Sequence, residues 1–350
     1  MNNRLISVTF FMLAAAMLGY GLIVAKSLLM PLIMAIFLWH LLNTLAAYIK
    51  GIYAVGAYLP MSLCLWFALF ILCFIIFQLA SIVTDNVGEV IVRAPIYQDN
   101  LKLILNGIDE RFHIKALAYV NDFFQNISFQ TILVNLYGTF TSLTSNALLI
   151  ALYVCFLFLE QRVMRLKMMA LFPRDKHFEL VSDIINQIVS DTQTYIGIKS
   201  AMSFIAAFSS WLIMKSIGLD FAEFWALLIF FLNFIPNIGS IIATAFPAML
   251  ALVQFQQSLM PFAMISLGIT TIQFVVGNLI EPKFLGKQLN LSPFVILVSL
   301  GIWGALWGVL GMFLAVPIMV VLMIVFSHFE KTVAIAILLS QNGSIRSRSR

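Results

Sequence analysis

Charge is the scarcest ingredient of this 350-residue sequence: Asp, Glu, Lys and Arg make up 10%, against 62% hydrophobic residues. A soluble domain carries about 25% charged residues, so this chain has too little polar material to cover a water-facing surface. Cysteine is scarce too. The three present, Cys64, Cys73 and Cys155, all lie inside apolar runs, which excludes a disulfide scaffold and leaves each thiol a small hydrophobe without an obvious metal partner. The four histidines, His40, His113, His177 and His328, stand far apart and mostly near the ends of apolar runs. That placement suits interfacial side chains better than metal ligands or catalytic bases. No GxxxxGK[ST] loop occurs; the nearest string, FLGKQ from Phe284 to Gln288, lacks the spacing and the hydroxyl that would reach a magnesium ion. With no HExxH and no GxSxG either, ATP hydrolysis is not expected and an intramembrane enzyme has no constellation to stand on. No metal and no cofactor is expected.

What the sequence has is long apolar runs, at about 5 to 25, 28 to 49, 61 to 83, 138 to 160, 198 to 217, 221 to 253, 260 to 280 and 294 to 327. Each meets or approaches the roughly 20 residues that cross a bilayer as a helix, and none alternates as a barrel strand would. The expected fold is an all-α, polytopic helical membrane protein of about eight transmembrane spans, with broken helices in the C-terminal third and amphipathic helices in two extramembrane windows. The first run, after Arg4, is followed by Lys26 and Ser27 with no small-residue cleavage site, the pattern of a retained anchor and not of a signal peptide.

Of the 35 charged residues, ten fall between Asp85 and Asp122 and eleven between Glu160 and Lys199. These windows are the expected non-membrane parts. The organisation expected is spans one to three over 1–84, an extracytoplasmic amphipathic segment over 85–137 and span four over 138–160. A cytoplasmic amphipathic segment follows over 161–197, then a transport region of spans five to eight over 198–330 and a cytoplasmic tail over 331–350. Placing both termini in the cytoplasm puts twelve Lys and Arg inside and eight outside, as the positive-inside rule asks. The net charge of +5 therefore reads as a topology signal and not as a nucleic-acid surface.

In the first window, Val90, Ile91, Leu101, Ile104, Leu105, Ile108, Leu117 and Val120 are interleaved with charges and interrupted at Pro95 and Gly107. That is a pattern of amphipathic helices lying on the membrane or on the helix bundle. The second window carries a cleaner stripe, Val181, Ile184, Ile185, Ile188, Val189, Tyr195 and Ile196, with Asp183, Asn186, Gln187, Ser190 and Asp191 opposite. It predicts an amphipathic helix leading into the fifth span, for packing or for coupling. The tail SQNGSIRSRSR is polar and basic, a composition expected to be disordered and able to touch anionic lipid.

The C-terminal third concentrates the unusual residues. In FAEFWALLIFFLNFIPNIGSIIATAFPAMLALVQF, Phe221 to Phe255, Pro236 removes a backbone donor and disfavours helix at Ile235. A broken span or a re-entrant hairpin is expected there. Freed backbone groups in a bilayer are tolerated only against protein or a water-filled cavity. Asn233, Pro236, Asn237, Gly239 and Ser240 are thus candidates for a substrate pathway, with Gln273 and Asn278 from the next run. That run stops at Glu281 and Pro282, and Gly277 to Phe294 then reads as a shaped loop. Glu281 beside Lys283 is open to three readings, a structural ion pair, a gate latch or a proton carrier. Asp220 and Glu223 are weaker candidates for gating or ion coupling. The last run carries Gly301, Gly304, Gly308, Gly311 and Ala315 at spacings of three and four, the pattern of one smooth helix-packing face. Trp303 and Trp307 lie off that stripe, and Pro317 adds a kink.

Three of these strings, IPNIGSIIATAFPA (Ile235 to Ala248), EPKFLGKQLNLSP (Glu281 to Pro293) and GALWGVLGMFLAVP (Gly304 to Pro317), resemble in content and order the motifs of the autoinducer-2 exporter family, the PerM-type permeases. Pro236, Gly239, Pro247, Glu281, Pro282, Gly286, Pro293, Gly304, Gly308, Gly311 and Pro317 match motif positions. Over residues 1–200 the likeness is in layout only. The resemblance implies an inner-membrane permease for a small polar solute such as the quorum-sensing furanone autoinducer-2. It also implies assembly as a homo-oligomer, with a pentamer the form expected. A sodium or lithium/proton antiporter using Glu281 is the alternative it leaves, and a non-transporting membrane scaffold is the reading from another class. The partners expected are membrane lipid and a small-molecule or ion substrate, not nucleic acid.

Overall fold

The computed structural model describes residues 3–51, 146–171, 176–256, 258–285 and 290–344, with residue 60, residues 63–71 and scattered positions between 73 and 106. The described residues are helical apart from turns and one isolated antiparallel bridge, Leu291 to Ser340. In chain order the helices are α1 (Asn3–Val24), α2 (Lys26–Gly51), α3 (Ala147–Leu171), α4 (Lys176–Ile217), α5 (Ala222–Leu232) and α6 (Ile238–Gln254). After them come α7 (Met260–Phe274), a π-turn (Val275–Ile280), α8 (Glu281–Leu285), α9 (Pro293–Trp307), α10 (Val309–His328) and α11 (Val333–Leu339). Among the described residues, four stretches are long and apolar enough to cross a membrane: Lys26–Gly51, Val181–Ile217, Met260–Leu285 and Val309–His328. The polytopic helical architecture expected from the apolar runs is therefore the one observed. Most of the window 85–137, Gly286 and residues 345–350 lie outside the described residues.

The chain forms two compact units, one of Met1–Tyr48, Asn146–Gly197 and Gly286–Arg350, the other of Ile49–Ser145 and Ile198–Leu285. In the first, α2 buries Ala35, Phe37, Leu42 and Ala46, and the Phe37 ring meets Phe313 of α10 edge-on at 5.0 Å. The Trp307 indole is 3% exposed and donates to the Leu22 carbonyl at 3.2 Å, so it faces protein. His40 is likewise buried in the middle of α2. The amphipathic stripe of the second window becomes the first half of α4, with Ile184, Tyr195 and Ile196 buried as expected. Asp191, expected on the outer face, is buried too, with Gln187 Nε2 donating to it at 3.5 Å.

The start of the tail departs from expectation as well. The Ser292 amide donates to Leu339 O at 2.9 Å and the Gln341 amide to Asn290 O at 2.9 Å, while the Asn290 side-chain amide reaches Ser344 O. The polar residues after α11 supply backbone donors and acceptors that pair with the segment entering α9, which holds them in place through Ser344.

Candidate functional site

In the second unit, the sixth apolar run folds back on itself. A helix rises 1.5 Å per residue, so residues seven apart on a straight helix stand about 10 Å away from each other. Yet a Cβ built on Gly239 would lie 1.7 Å from the carbonyl oxygen of Leu232. Farther out, Trp225 and Phe246 stack at 6.1 Å, and at the base the Gln254 side chain accepts from the Asp220 amide and donates to Gly218 O, both at 2.9 Å. α5 and α6 are thus the arms of a hairpin. Its tip follows from Pro236: without an N–H there the helix stops, and the Ile238 amide closes a γ-turn onto Pro236 O at 2.7 Å with Asn237 at φ 61, ψ −57. This positive-φ γ-turn is rare and strained. Gly239 is buried behind it, where only a residue without a Cβ fits.

The base carries the charges. Arg93 Nη1 and Tyr97 Oη both donate to Asp220 Oδ2 at 2.6 Å, and the Asn100 side chain donates to Val253 O at 3.1 Å. The hydrogen bond and charge of Asp220 hold the Arg93 guanidinium above its ordinary range, and burial, then the bond to Asp220, raises the Tyr97 phenol. Phe221, at φ 59, lies under the Arg93 guanidinium at 5.9 Å. Lys215 Nζ contacts Glu223 Oε1 at 2.6 Å. A base rich in charge belongs at the membrane interface. Eleven residues of α5 then carry the chain about 16 Å, which is half the depth of a hydrocarbon core of about 30 Å. Two results are expected at this base. Gln254→Leu, which removes both hydrogen bonds of the clamp, should cost about 1–2 kcal/mol in thermal unfolding of the purified protein. Glu223→Gln, which breaks a pair exposed at 59% and 40%, should stay within about 1 kcal/mol of the native chain.

The ion pair of Glu281 differs from the one anticipated. Its partner is Lys199, from the middle of α4, with Nζ 2.6 and 2.8 Å from the two carboxylate oxygens; Lys283, two residues along, is exposed. The side chains of Lys199 and Glu281 are only 8% and 16% exposed. Nor does the helix end at Glu281. It passes through the π-turn, in which the Glu281 amide bonds to Val276 O, five residues back, and continues as α8. Pro282 explains this. Inside a regular helix its ring would clash with the carbonyl four residues earlier, and the extra residue of a π-turn moves that carbonyl away. The wider turn also changes the direction in which Glu281 projects. Below the pair, Met202, Ala206 and Val276 pack with Ile198, Ile272 and Ile280, and a Cβ on Gly268 would meet Ile213 at 2.8 Å. α4 and the α7 to α8 run are therefore antiparallel neighbours.

In the first unit the last apolar run is also a hairpin and not a single kinked helix. Gly308, at φ 70, reverses the chain. A Cβ on Gly311 would lie 1.9 Å from Trp303 O, and one on Gly304 2.6 Å from the Met312 methyl. The stripe of glycines expected on one helix face is divided between two arms, where Gly304 and Gly311 let α9 and α10 close on each other; Gly301 meets nothing within 4 Å. Pro317 lies inside α10.

Of the candidate pathway residues, Asn233, Pro236, Asn237, Gly239 and Ser240 come together at the tip of the α5–α6 hairpin, where Ser240 Oγ donates to Asn237 O at 2.9 Å. Gln273 is part-buried on α7, and Asn278 is exposed on the π-turn. Lys199, Arg93 and Tyr97 escaped the sequence reading because their partners are 82, 127 and 123 residues away, and no local spacing links them. Among the described residues no three His, Cys, Asp or Glu side chains converge as a metal site would require.

A hairpin whose tip lies about half a hydrocarbon core from its charged base and a charge pair enclosed between long apolar helices are parts from which membrane transporters are built, and a multi-pass helical transporter is the class of protein they define. The chain belongs to the AI-2E family of transporters, whose profile matches residues 6–331. It is 28% identical over 329 residues to the AI-2 transport protein TqsA of Escherichia coli K12, with 91% of each chain covered. It is 31% identical over 245 residues to a Borreliella burgdorferi protein whose name assigns transport without a substrate, covering 69% of this chain and 67% of that one. Similarity to the E. coli permease-named protein PerM is 26% over 170 residues, about half of each chain.

Proposed function

We propose that this chain exports a small polar solute across the inner membrane, with an autoinducer-2-like furanone as the first candidate. The observation that carries the proposal is the α5–α6 hairpin, which brings a strained γ-turn and two asparagine side chains about 16 Å from a charged base. Non-helical backbone at that depth needs protein or a water-filled cavity around it, and Asn233, Asn237 and Ser240 offer the donors and acceptors a hydroxylated furanone would use. The similarity to TqsA, named for AI-2 transport, supports the same substrate class. Both termini are assigned to the cytoplasm on the Lys and Arg excess, and assembly as a homo-oligomer, a pentamer first, is the expectation carried by the family resemblance.

The test is flux into proteoliposomes of the purified protein with labelled autoinducer-2 and with sodium and proton indicators, with and without an imposed pH gradient. Saturable furanone uptake is the expected result; its absence from folded, inserted protein would reject the substrate. A sodium or lithium/proton antiporter is the second reading, favoured by the enclosure of Glu281 against Lys199 at 2.6 Å. Cation-linked proton movement without furanone flux, lost in Glu281→Gln, would establish it. Asp220 and Glu223 support it less, because their pairs at the hairpin base are more open to solvent than the Lys199–Glu281 pair.

A further inference from the structure

We propose that the seam between α4 and α7 is a water-accessible path for small neutral polar molecules, held shut by the Lys199–Glu281 pair. The identity of any cargo rests on the exporter reading above; the existence of the path does not.

Lys199, Ser203 and Ser210 recur along α4 at intervals of four and seven, within about 40° of one another around the helix. They are 6%, 1% and 0% exposed. On α7, Ser266 and Gln273 are also seven apart. The hydroxyls of Ser203, Ser210 and Ser266 and the side-chain N–H group of Gln273 are buried with no hydrogen-bond partner in the protein. A helical Ser or Thr ordinarily satisfies itself by donating to the carbonyl three or four residues back, and this chain does so elsewhere: Thr44 to His40 O, Thr244 to Ser240 O, Ser299 to Ile296 O and Ser327 to Ile324 O. Ser203, Ser210 and Ser266 decline that bond, although Ser216, also on α4, makes it to Ile213 O.

Four unsatisfied buried polar groups on two neighbouring helices are costly in a bilayer, where lipid supplies no partner. Water or a small polar molecule with donors and acceptors would satisfy them. What closes the run is also present. The doubly hydrogen-bonded ion pair ties α4 to the α7–α8 run at Glu281, next to the apolar cluster of Met202, Ala206 and Val276. The π-turn is the element that can move: it holds one residue more than an α-turn, and reverting it would swing Glu281 away from Lys199. Opening would then need the loss of one ion pair and the separation of a few apolar side chains.

The test is thiol accessibility in reconstituted protein from which Cys64, Cys73 and Cys155 have been replaced by alanine. Ser203→Cys and Ser210→Cys are each exposed to a charged, membrane-impermeant thiosulfonate reagent. The pair is compared intact and after Lys199→Met with Glu281→Gln, a combination that leaves no lone buried charge to unfold the protein. Both cysteines are expected to react slowly with the pair intact and at least about tenfold faster without it, a shift of about 1.4 kcal/mol in the closed-to-open balance. Leu212→Cys, whose native side chain is on the outer face of α4 at 50% exposure, should stay slow in both backgrounds. Rates for Ser203→Cys and Ser210→Cys that do not change, or that follow Leu212→Cys, overturn the path. Fast labelling without furanone flux would reject the cargo and keep the path; furanone flux with no labelling would reject the path and keep the exporter.

Discussion

Gly239→Ala is expected to unfold the α5–α6 hairpin and to lower the stability of the purified protein by about 3 kcal/mol or more, at the top of the range for overpacking a core. The added methyl would sit 1.7 Å from Leu232 O and 2.6 Å from its carbon. Both belong to the backbone of the opposite arm, which cannot swing aside as a side-chain end can. Gly311→Ala should behave alike, because it meets Trp303 O at 1.9 Å and its carbon at 2.7 Å. Gly304→Ala should cost less, since what it meets is the flexible end of Met312 at 2.6 Å. Gly301→Ala, with open space around it, should be neutral or stabilising by up to about 1 kcal/mol, the ordinary gain for alanine over glycine in a helix. Thermal unfolding of the four variants in one detergent measures this order. A Gly239→Ala protein as stable as Gly301→Ala would mean that the sixth run does not reverse where described.

The second large effect is expected at the buried ion pair. Removing one partner leaves the other charged in a low-dielectric seam, which typically costs about 3–5 kcal/mol. Glu281→Gln and Lys199→Met should each approach that loss. Their combination should be considerably less damaging than the sum, because no uncompensated charge remains. A double-mutant cycle on thermal or denaturant stability measures the coupling; strictly additive losses would mean that the two groups do not interact. The contrast with Arg93–Asp220 is instructive. That pair is as short, 2.6 Å, but its side chains are 46% and 25% exposed, so solvent and salt screen it and Arg93→Ala should cost no more than about 1 kcal/mol.

Much of the site was readable one residue at a time. Pro236 marked the break in the sixth run because a missing amide is a local property, and Gly239 was singled out with it. Glu281 stood out because a carboxylate at the end of a long apolar run is rare. Lys283, beside it in sequence, does not pair with it, because two residues along a helix point to nearly opposite faces; the chain instead supplies Lys199 from another helix. The glycines from Gly301 to Gly311 carried a spacing that suits one continuous face. The turn at Gly308 puts them on two arms, since a glycine that can take φ 70 allows reversal as readily as it allows packing.

What the sequence by itself determined is the solvent and the class of structure: 62% hydrophobic residues in runs of about 20 can satisfy their backbone in a bilayer only as helices. Prolines and glycines further determined where those helices must break, because a lost donor or a missing Cβ acts on its nearest neighbours alone. Only the tertiary structure decided that the two breaks reverse the chain, that Lys199 closes on Glu281, and that Ser203 and Ser210 line the same buried face. The ion pair depends on which surfaces meet across 82 residues of chain, and a helix period of 3.6 residues says which side chains share a face but not which helix that face will meet.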